Sequence, residues 1–341
     1  MIVVEKGGML TTIQDRGRFG YEQFGVSPAG PMDMRSFTIA NMLVGNQRGA
    51  AAMEITIVGP TLRFTKPAVI AITGGDLSPT RNGRAVPMYT AVLIEAGDVL
   101  QMGVAATGCR AYLAVAGGFH VPEVMGSRAT SLQNKIGGIG GRKLNSGDEL
   151  SVGIPALALE QIAGRSLTPE KIGAQQPVVL RVLMGPQEDE FTEEGINTFL
   201  KSTYQVENDS NRMGYRLAGP AIEHSGDGNI ISDGIVTGSI QVPASGLPIV
   251  MLAERQTVGG YPKIATVISA DLPKIGQCRP GDSIRFQAVS IDEAQQLYRF
   301  YLGELDEMAR QLKQKRPDSR IHYYRVNFKG SIYQVSVEEM A

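Results

Sequence analysis

The sequence predicts a mainly β protein built as two lobes with few helices, and three observations predict it. Short apolar runs rich in β-branched residues recur along the chain. Glycine and proline punctuate them, with 41 and 18 copies in 341 residues. Helical spacing is confined to three segments. At about 150 residues per domain, the length suits two units.

The elements follow in order. Met32–Leu43 places Met34, Phe37, Ile39, Ala40 and Leu43 near helical spacing, and Gly45 stops it. Ala68–Ile72, Ala91–Ile94, Ala111–Val115, Val178–Leu183 and Ile249–Ala253 read as strands, each lying near Gly, Pro or Asn. Three turns share one chemistry: Glu95–Asp98, Asn145–Asp148 and Arg279–Asp282 each end in Gly-Asp before an apolar run. Gly takes positive φ cheaply and Asp closes the turn, so each predicts a tight entry to a strand. Glu188–Lys201 is a second helix candidate whose start is blurred by Thr192–Gly195. Ile291–Lys315 is the longest, with Asp292 as N-cap and a stripe of Leu297, Phe300, Tyr301, Leu305, Met308 and Leu312 that reads as packing. Pro155–Pro177 loses strand character and carries Gly164, Thr168-Pro169 and Gly173. The predicted division is therefore a lobe over 1–154, a connection over 155–177, a second lobe over 178–290, and a helix with a β tail over 291–341.

Composition excludes several classes. With 33 basic and 34 acidic side chains, the net charge of -1 offers no footprint for nucleic acid. Two cysteines, Cys109 and Cys278, cannot make a disulfide framework or a Cys-rich zinc site, and three histidines (His120, His224, His322) make a poor basis for a metal centre. Cys109 reads as a buried structural thiol and His224 as a surface residue. No metal site is expected. The N-terminal stretch lacks the pattern of a signal peptide, and no apolar run approaches the roughly 20 residues of a membrane span, so the expectation is a cytoplasmic protein.

Familiar motifs fail on spacing. Gly137–Lys143 is glycine-rich with cations following, but lacks the terminal Lys-Ser/Thr of a P-loop; a flexible hairpin is the favoured reading and an anion cradle the other. No Gly-x-Gly-x-x-Gly follows a strand, no Gly-x-Ser-x-Gly surrounds Ser239 or Ser245, and Asp227 and Asp233 lack the Glu of a calcium loop.

Several segments nevertheless hold polar residues, Gly and Pro too densely for a scaffold. In the first lobe they are Leu10–Tyr21, Gly25–Asp33 with Asn41 and Gly45-Asn46, Glu54-Ile55 through Leu62, Thr73–Leu77, and Tyr112–Gly118. In the second they are Asp209–Pro220, Gly238–Pro243, Arg255–Lys263 and Ala265–Pro273. This series, in this order, resembles the allophanate hydrolase subunit 2 family, also called the biotin-dependent carboxyltransferase family, over roughly residues 1–290. The resemblance implies two cyclophilin-like β-barrel lobes. The family includes the C subunit of the bacterial ATP-dependent 5-oxoprolinase, the antagonist of a sporulation-kinase inhibitor, and the carboxyltransferase segment of urea carboxylase. By this resemblance the leading expectation is the C-subunit role, inactive alone. Its partners would be a cyclophilin-fold B subunit and an A subunit, in a complex where ATP hydrolysis drives opening of 5-oxoproline to glutamate. The alternatives are a carboxyltransferase component acting on a urea-like substrate with biotin on a separate carrier, and a regulatory protein that sequesters its partner.

Both chemistries handle a small, amide-like substrate, which needs donors for a carbonyl oxygen gaining charge and acceptors for N–H. Arg255 and Lys263 supply cations. Gln241 and Gln256 pair donor and acceptor groups, Thr257 and Tyr261 supply hydroxyls, and Gly259-Gly260 allows close backbone approach. Asp33 and Asp76 are the candidate first-lobe carboxylates. Asp33, Asp76, Arg255 and Tyr261 are thus the candidate catalytic residues, with the others binding substrate. Asp33 could instead only cap its helix, Asp76 only hold its turn, and Arg255 only pair with Glu254 or a carboxylate of the other lobe. The tail, Tyr324–Glu339, looks like the opening strands of a biotin carrier domain but lacks its Ala-Met-Lys-Met. This chain is therefore not expected to carry biotin. A relic, a docking point for a separate carrier, and a plain amphipathic hairpin remain the readings of that segment.

Overall fold

Alternating runs and Gly-Asp turns give a mainly β architecture in the computed structural model, which describes residues 1–170, 172, 176–314, 321–328 and 331–338. In the first lobe a seven-stranded sheet runs Phe119–His120, Glu149–Val152, Ile2–Lys6, Thr61–Phe64, Val99–Gln101, Thr80–Arg81, Arg84–Ala85. A five-stranded sheet runs Leu10–Gln14, Ala52–Thr56, Thr107–Val115, Ala68–Asp76, Val92–Ile94. Ile2, Ile13, Ile55, Phe64, Ile70, Ile72, Leu100, Leu113 and Leu150 fill the space between them. The alternate residues of the five-stranded sheet, Val69, Ala71, Tyr112 and Ala114, face a second apolar layer. A strand buried on both faces reads as a continuous apolar run, which is why Ala68–Ile72 and Ala111–Val115 stand out in the sequence.

That second layer is helical. Helix α1 (Met34–Leu43) supplies Phe37, Ile39, Ala40 and Leu43, and α2 (Leu159–Ile162) supplies Ile162. Residues 164–167 add hydrogen bonds from Gly164 N–H to the Ala91 carbonyl and from Leu167 N–H to the Tyr89 carbonyl, so this part of the connection lies on the first lobe. Lys171 and residues 173–175, including Gly173, lie outside the described residues.

In the second lobe the strands form a closed seven-membered ring: Val178–Met184, Lys263–Val267, Ser239–Gln241, Ile249–Met251, Gly214–Ala218, Tyr204–Val206 and Ser283–Ala288. The ring closes through a parallel pairing of Val178–Val182 with Ile284–Ala288, entered from the Arg279–Asp282 turn. Helix α3 (Glu193–Lys201) plugs one end, with Phe199 stacked on Phe286 at 4.5 Å. The helix expected from Glu188 is split: a 3-10 turn spans Glu188–Glu190, and Thr192 caps α3 by accepting from Gly195 N–H. The Thr-Glu-Glu-Gly that blurs the sequence pattern is thus the start of the helix. Helix α4 (Leu272–Gly276) lies at the seam between lobes.

Helix α5 (Ile291–Gln314) packs Tyr301, Leu305 and Leu312 onto the first lobe. Phe300, expected in the packing stripe, is 67% exposed. The N-cap is Ser290, whose hydroxyl accepts from Glu293 N–H, and Asp292 sits in the first turn instead. Lys315 lies outside the described residues. In the tail, Ile321–Phe328 and Ser331–Glu338 pair antiparallel over their full length; Lys329, Gly330 and residues 339–341 are outside the description. No described helix is long and apolar enough to cross a membrane.

Candidate functional site

Two polar regions are built around buried guanidiniums, one across the junction of the lobes and one within the second lobe, and only the first is self-sufficient. In the first, Glu54 on the Ala52–Thr56 strand pairs with Arg212 of the second lobe and accepts from Tyr112 O–H (2.7 Å) and Met32 N–H (2.7 Å). Arg212 also donates to Glu254 (2.8 Å) and to the Gly30 carbonyl (2.7 Å). Glu254 accepts from Leu132 N–H at 3.0 Å. Arg110 donates to the Tyr215 hydroxyl oxygen and to the Gly276 carbonyl, both at 2.6 Å, and its Nε lies 3.8 Å from Glu54. Two guanidiniums and two carboxylates, all buried, balance in charge. Burial opposes the Arg212 charge, but Glu54 and Glu254 outweigh it and hold the guanidinium above its ordinary value. Burial likewise opposes Arg110, and Tyr215, Cys109 and Glu54 outweigh it. Sequence reasoning names Glu54 and Glu254 but does not join these four residues, because they meet only through contacts between distant segments.

The second region gathers most of the residues expected to bind substrate. Gln241, at the end of the Ser239–Gln241 strand, donates to the Tyr261 carbonyl and accepts from the Gln256 amide, both at 3.3 Å. Gly259 lies against the Gln241 amide: a Cβ there would approach its Nε2 to 2.7 Å. The Val258–Gly259 strand pairs with Asp233–Gly234, and the Thr257 carbonyl accepts from Ile235 N–H. Lys263 is buried and paired with the exposed Asp233 at 2.7 Å. Tyr261 is 40% exposed, at the mouth of the cluster. Gly260 brings its carbonyl to Ile230 N–H, and a Cβ there would lie 3.4 Å from the Ile230 carbonyl and 3.6 Å from the Ser232 hydroxyl.

Arg255 is the exception inside this cluster. It is 5% exposed, yet its sole hydrogen bond among the described residues runs from Nε to the Ile235 carbonyl (3.0 Å), and its buried Nη1 has no partner there. The pairing with Glu254 considered from sequence does not form, since Glu254 is taken by Arg212. Burial pushes the guanidinium below its ordinary value, and the first-lobe carboxylate Glu22 opposes that shift.

The two expected first-lobe carboxylates lie elsewhere. Asp33 caps α1: its carboxylate accepts from Ser36 N–H (2.9 Å), Ser36 O–H (2.6 Å) and the Gln277 amide (2.8 Å). Burial pushes its carboxyl up. Asp76 accepts from Ser78 N–H and holds its turn. Neither bonds to any member of the second-lobe cluster. Asp33 instead borders a cavity of about 790 Å³ beneath α5, where Arg35, Arg181, Lys274 and Glu170 meet Leu297 and Phe300. The charges there are matched to one another, Arg35 with Glu170 and Glu304, and Asp271 with Arg181 and Lys274.

Other candidates resolve simply. Cys109 and Cys278 are buried free thiols, and burial pushes Cys278 up. His224 is half-buried, tilted against Phe191 at 4.9 Å, with its Nε2 3.0 Å from the Val242 carbonyl. In the glycine-rich loop, Gly138 N–H and Gly141 N–H are spent on the Arg128 and Gly137 carbonyls, and Arg142 is paired with Asp148. That loop is a turn tied to itself and to the Arg128 carbonyl.

Comparison with known proteins matches this architecture. Residues 24–288 fit the family described as carboxyltransferase domain, subdomain A and B. The chain is 39% identical over 297 residues to the 5-oxoprolinase C subunit of Escherichia coli (strain K12), spanning 86% of this chain and 93% of that one. It is 37% identical to the 5-oxoprolinase C subunit of Haemophilus influenzae over 307 residues, spanning 89% and 96%. Among solved structures, the Kluyveromyces lactis urea carboxylase superposes with a TM-score of 0.82 at 33% identity, covering 90% of this chain and 29% of that one. The chain belongs to the carboxyltransferase-domain family.

Proposed function

We propose that this member of the carboxyltransferase-domain family is the C subunit of an ATP-dependent 5-oxoprolinase, acting with an A subunit and a cyclophilin-fold B subunit to convert 5-oxoproline to glutamate. The observation that carries this reading is the Gln241–Gln256–Tyr261 cluster beside Arg255. It sits in a chain whose similarity to the 5-oxoprolinase C subunit runs nearly end to end in both proteins. Two adjoining carboxamides offer a donor and an acceptor edge, which matches the paired N–H and C=O of a lactam. Gly259 leaves the Gln241 amide room that a side chain there would take. In the reaction the lactam C–N bond breaks, the oxygen of water bonds to the carbonyl carbon, and the nitrogen gains a proton. In this reading the Tyr261 hydroxyl and the Gln256 amide donate to the carbonyl oxygen as it gains charge. ATP, bound within the complex, supplies the driving force.

A second reading is favoured by the likeness to urea carboxylase: a carboxyltransferase component for a urea-like nitrogen compound, with biotin on a separate carrier. One experiment separates them. The chain is co-purified with its A and B partners, and 5-oxoproline-dependent ATP hydrolysis and glutamate formation are measured with and without avidin. Glutamate that requires this chain and ignores avidin supports the first reading. No glutamate, with ATP use restored by a biotin carrier and bicarbonate, overturns it in favour of the second.

A further inference from the structure

Buried guanidiniums are costly unless an anion accompanies them. Among the described residues two buried cations, Arg18 and Arg255, lack an ion pair, and Arg18 has two carbonyl acceptors where Arg255 has one. Arg110 and Arg212 share Glu54 and Glu254, and Lys263 has Asp233. Arg18, 1% exposed and also left with an unpartnered Nη1, donates to the Ala129 carbonyl and lies within the fields of Asp15 and Glu254. Arg255 makes no ion pair among the described residues. The acidic group that acts on it, Glu22, already accepts from Gly20 N–H at the rim of the first lobe. A buried guanidinium with an unmet Nη1, whose one acceptor is the carbonyl of Ile235, itself packed with Gln241 around Gly259, describes an incomplete site rather than a structural staple.

We propose that Arg255 binds the carboxylate of the substrate, so that the cluster selects a lactam carrying an anionic group over a neutral one. This rests on the proposed lactam substrate and deepens it. The carboxamides of Gln241 and Gln256 read the amide edge; the unspent N–H groups of Arg255 read the carboxylate next to it, in the short charge-assisted geometry that guanidinium favours. Arg255 therefore binds rather than reacts. A neutral substrate such as urea leaves the buried charge unanswered, and the site discriminates against it for that reason. Burial of the Arg255 guanidinium strengthens the contact.

The test compares 5-oxoproline with 2-pyrrolidone, the same lactam without the carboxylate, by calorimetry on the full chain and on the assembled complex. Wild type is expected to prefer 5-oxoproline by about 10- to 100-fold, the range of one or two hydrogen bonds to a charged group. Arg255→Gln is expected to bring that ratio close to one, and Arg255→Lys to restore part of it. Thermal melts of both variants verify folding. A wild-type ratio near one overturns the proposal, as does a ratio unchanged in Arg255→Gln. In either case glutamate formation by the complex leaves the lactam reading standing. If the complex neither binds nor turns over either lactam, both fall together.

Discussion

The Glu54–Arg212 seam and the Arg255 cluster are adjacent in the fold and opposite in design. Both bury guanidinium groups, the seam between the lobes and Arg255 against the Ile235 carbonyl of the second lobe. In the seam every charge meets its counterpart and most donors meet a carbonyl, carboxylate or phenol. At Arg255, among the described residues, one backbone carbonyl accepts one N–H and the buried Nη1 is unmet. A balanced buried network holds two lobes in register. An unbalanced one keeps donors in reserve for a ligand. The difference lies in the partners, since the residue type is the same.

The sharpest way to break this comparison is to remove a partner from the balanced side. Glu54→Gln keeps the shape but leaves Arg212 short of charge, and Arg110 with it. Losing one member of a buried pair costs about 3–5 kcal/mol. Urea denaturation is expected to show a loss of that size. Arg255→Gln, with no ligand present, removes a buried charge that has no counterion, so it is expected to unfold no more readily than wild type. Equal losses in the two variants would erase the distinction between seam and site.

The next effect is on activity. Gly259→Ala places a Cβ 2.7 Å from the Gln241 amide and from the Ile235 methyl, both at side-chain ends that can move. Stability is expected to change by less than about 1 kcal/mol. Displacing the amide disrupts the lactam edge, and kcat/KM of the complex is expected to fall by about 10- to 100-fold. Tyr261→Phe, at an exposed position, is expected to leave the melting temperature unchanged and lower kcat by less than Gly259→Ala does, because it removes a single donor. A Gly259→Ala complex with full turnover would place the reaction elsewhere.

How much of this is legible in the sequence follows from the range of each interaction. The Gly-Asp turns, the apolar runs and α1 are local, and Glu95–Asp98, Asn145–Asp148 and Arg279–Asp282 each enter a strand as expected. Helix α3 misleads because its cap, Thr192, lies inside what looks like one helix. The second-lobe cluster is legible because its residues lie within Gln241–Lys263. The seam is not: Glu54 and Arg212 are far apart in the chain, and no periodicity marks a partner at that distance. The incomplete pairing of Arg255 is likewise invisible, because it depends on Arg212 having claimed Glu254 first.

The same contrast recurs among carboxylates, where the expected effects are smallest and depend on pH. Asp33 and Asp271 are both buried, at 2% and 0% exposure. Asp33 has neutral partners, and burial pushes its carboxyl up despite the bonds from Gln277 and Ser36. Burial also opposes the Asp271 charge, but Arg181 and Lys274 outweigh it and hold that carboxyl below its ordinary value. The signs therefore oppose each other. A depressed native pKa gives stability that is present above the unfolded value, about 3.9, and is lost as pH falls through the native value. A raised one gives stability that is present below about 3.9 and is lost as pH climbs through the native value. Denaturant midpoints measured from pH 3 to 6 are expected to fall less steeply towards acid in Asp271→Asn than in wild type. In Asp33→Asn, which retains a capping side chain, the decline on the rising side of that window is expected to flatten. Two variants that altered the profile in the same direction would show that partners, whether charged or neutral, do not decide what a buried ionisable group contributes in this fold, and would remove the physical distinction between Arg255 and the seam beside it.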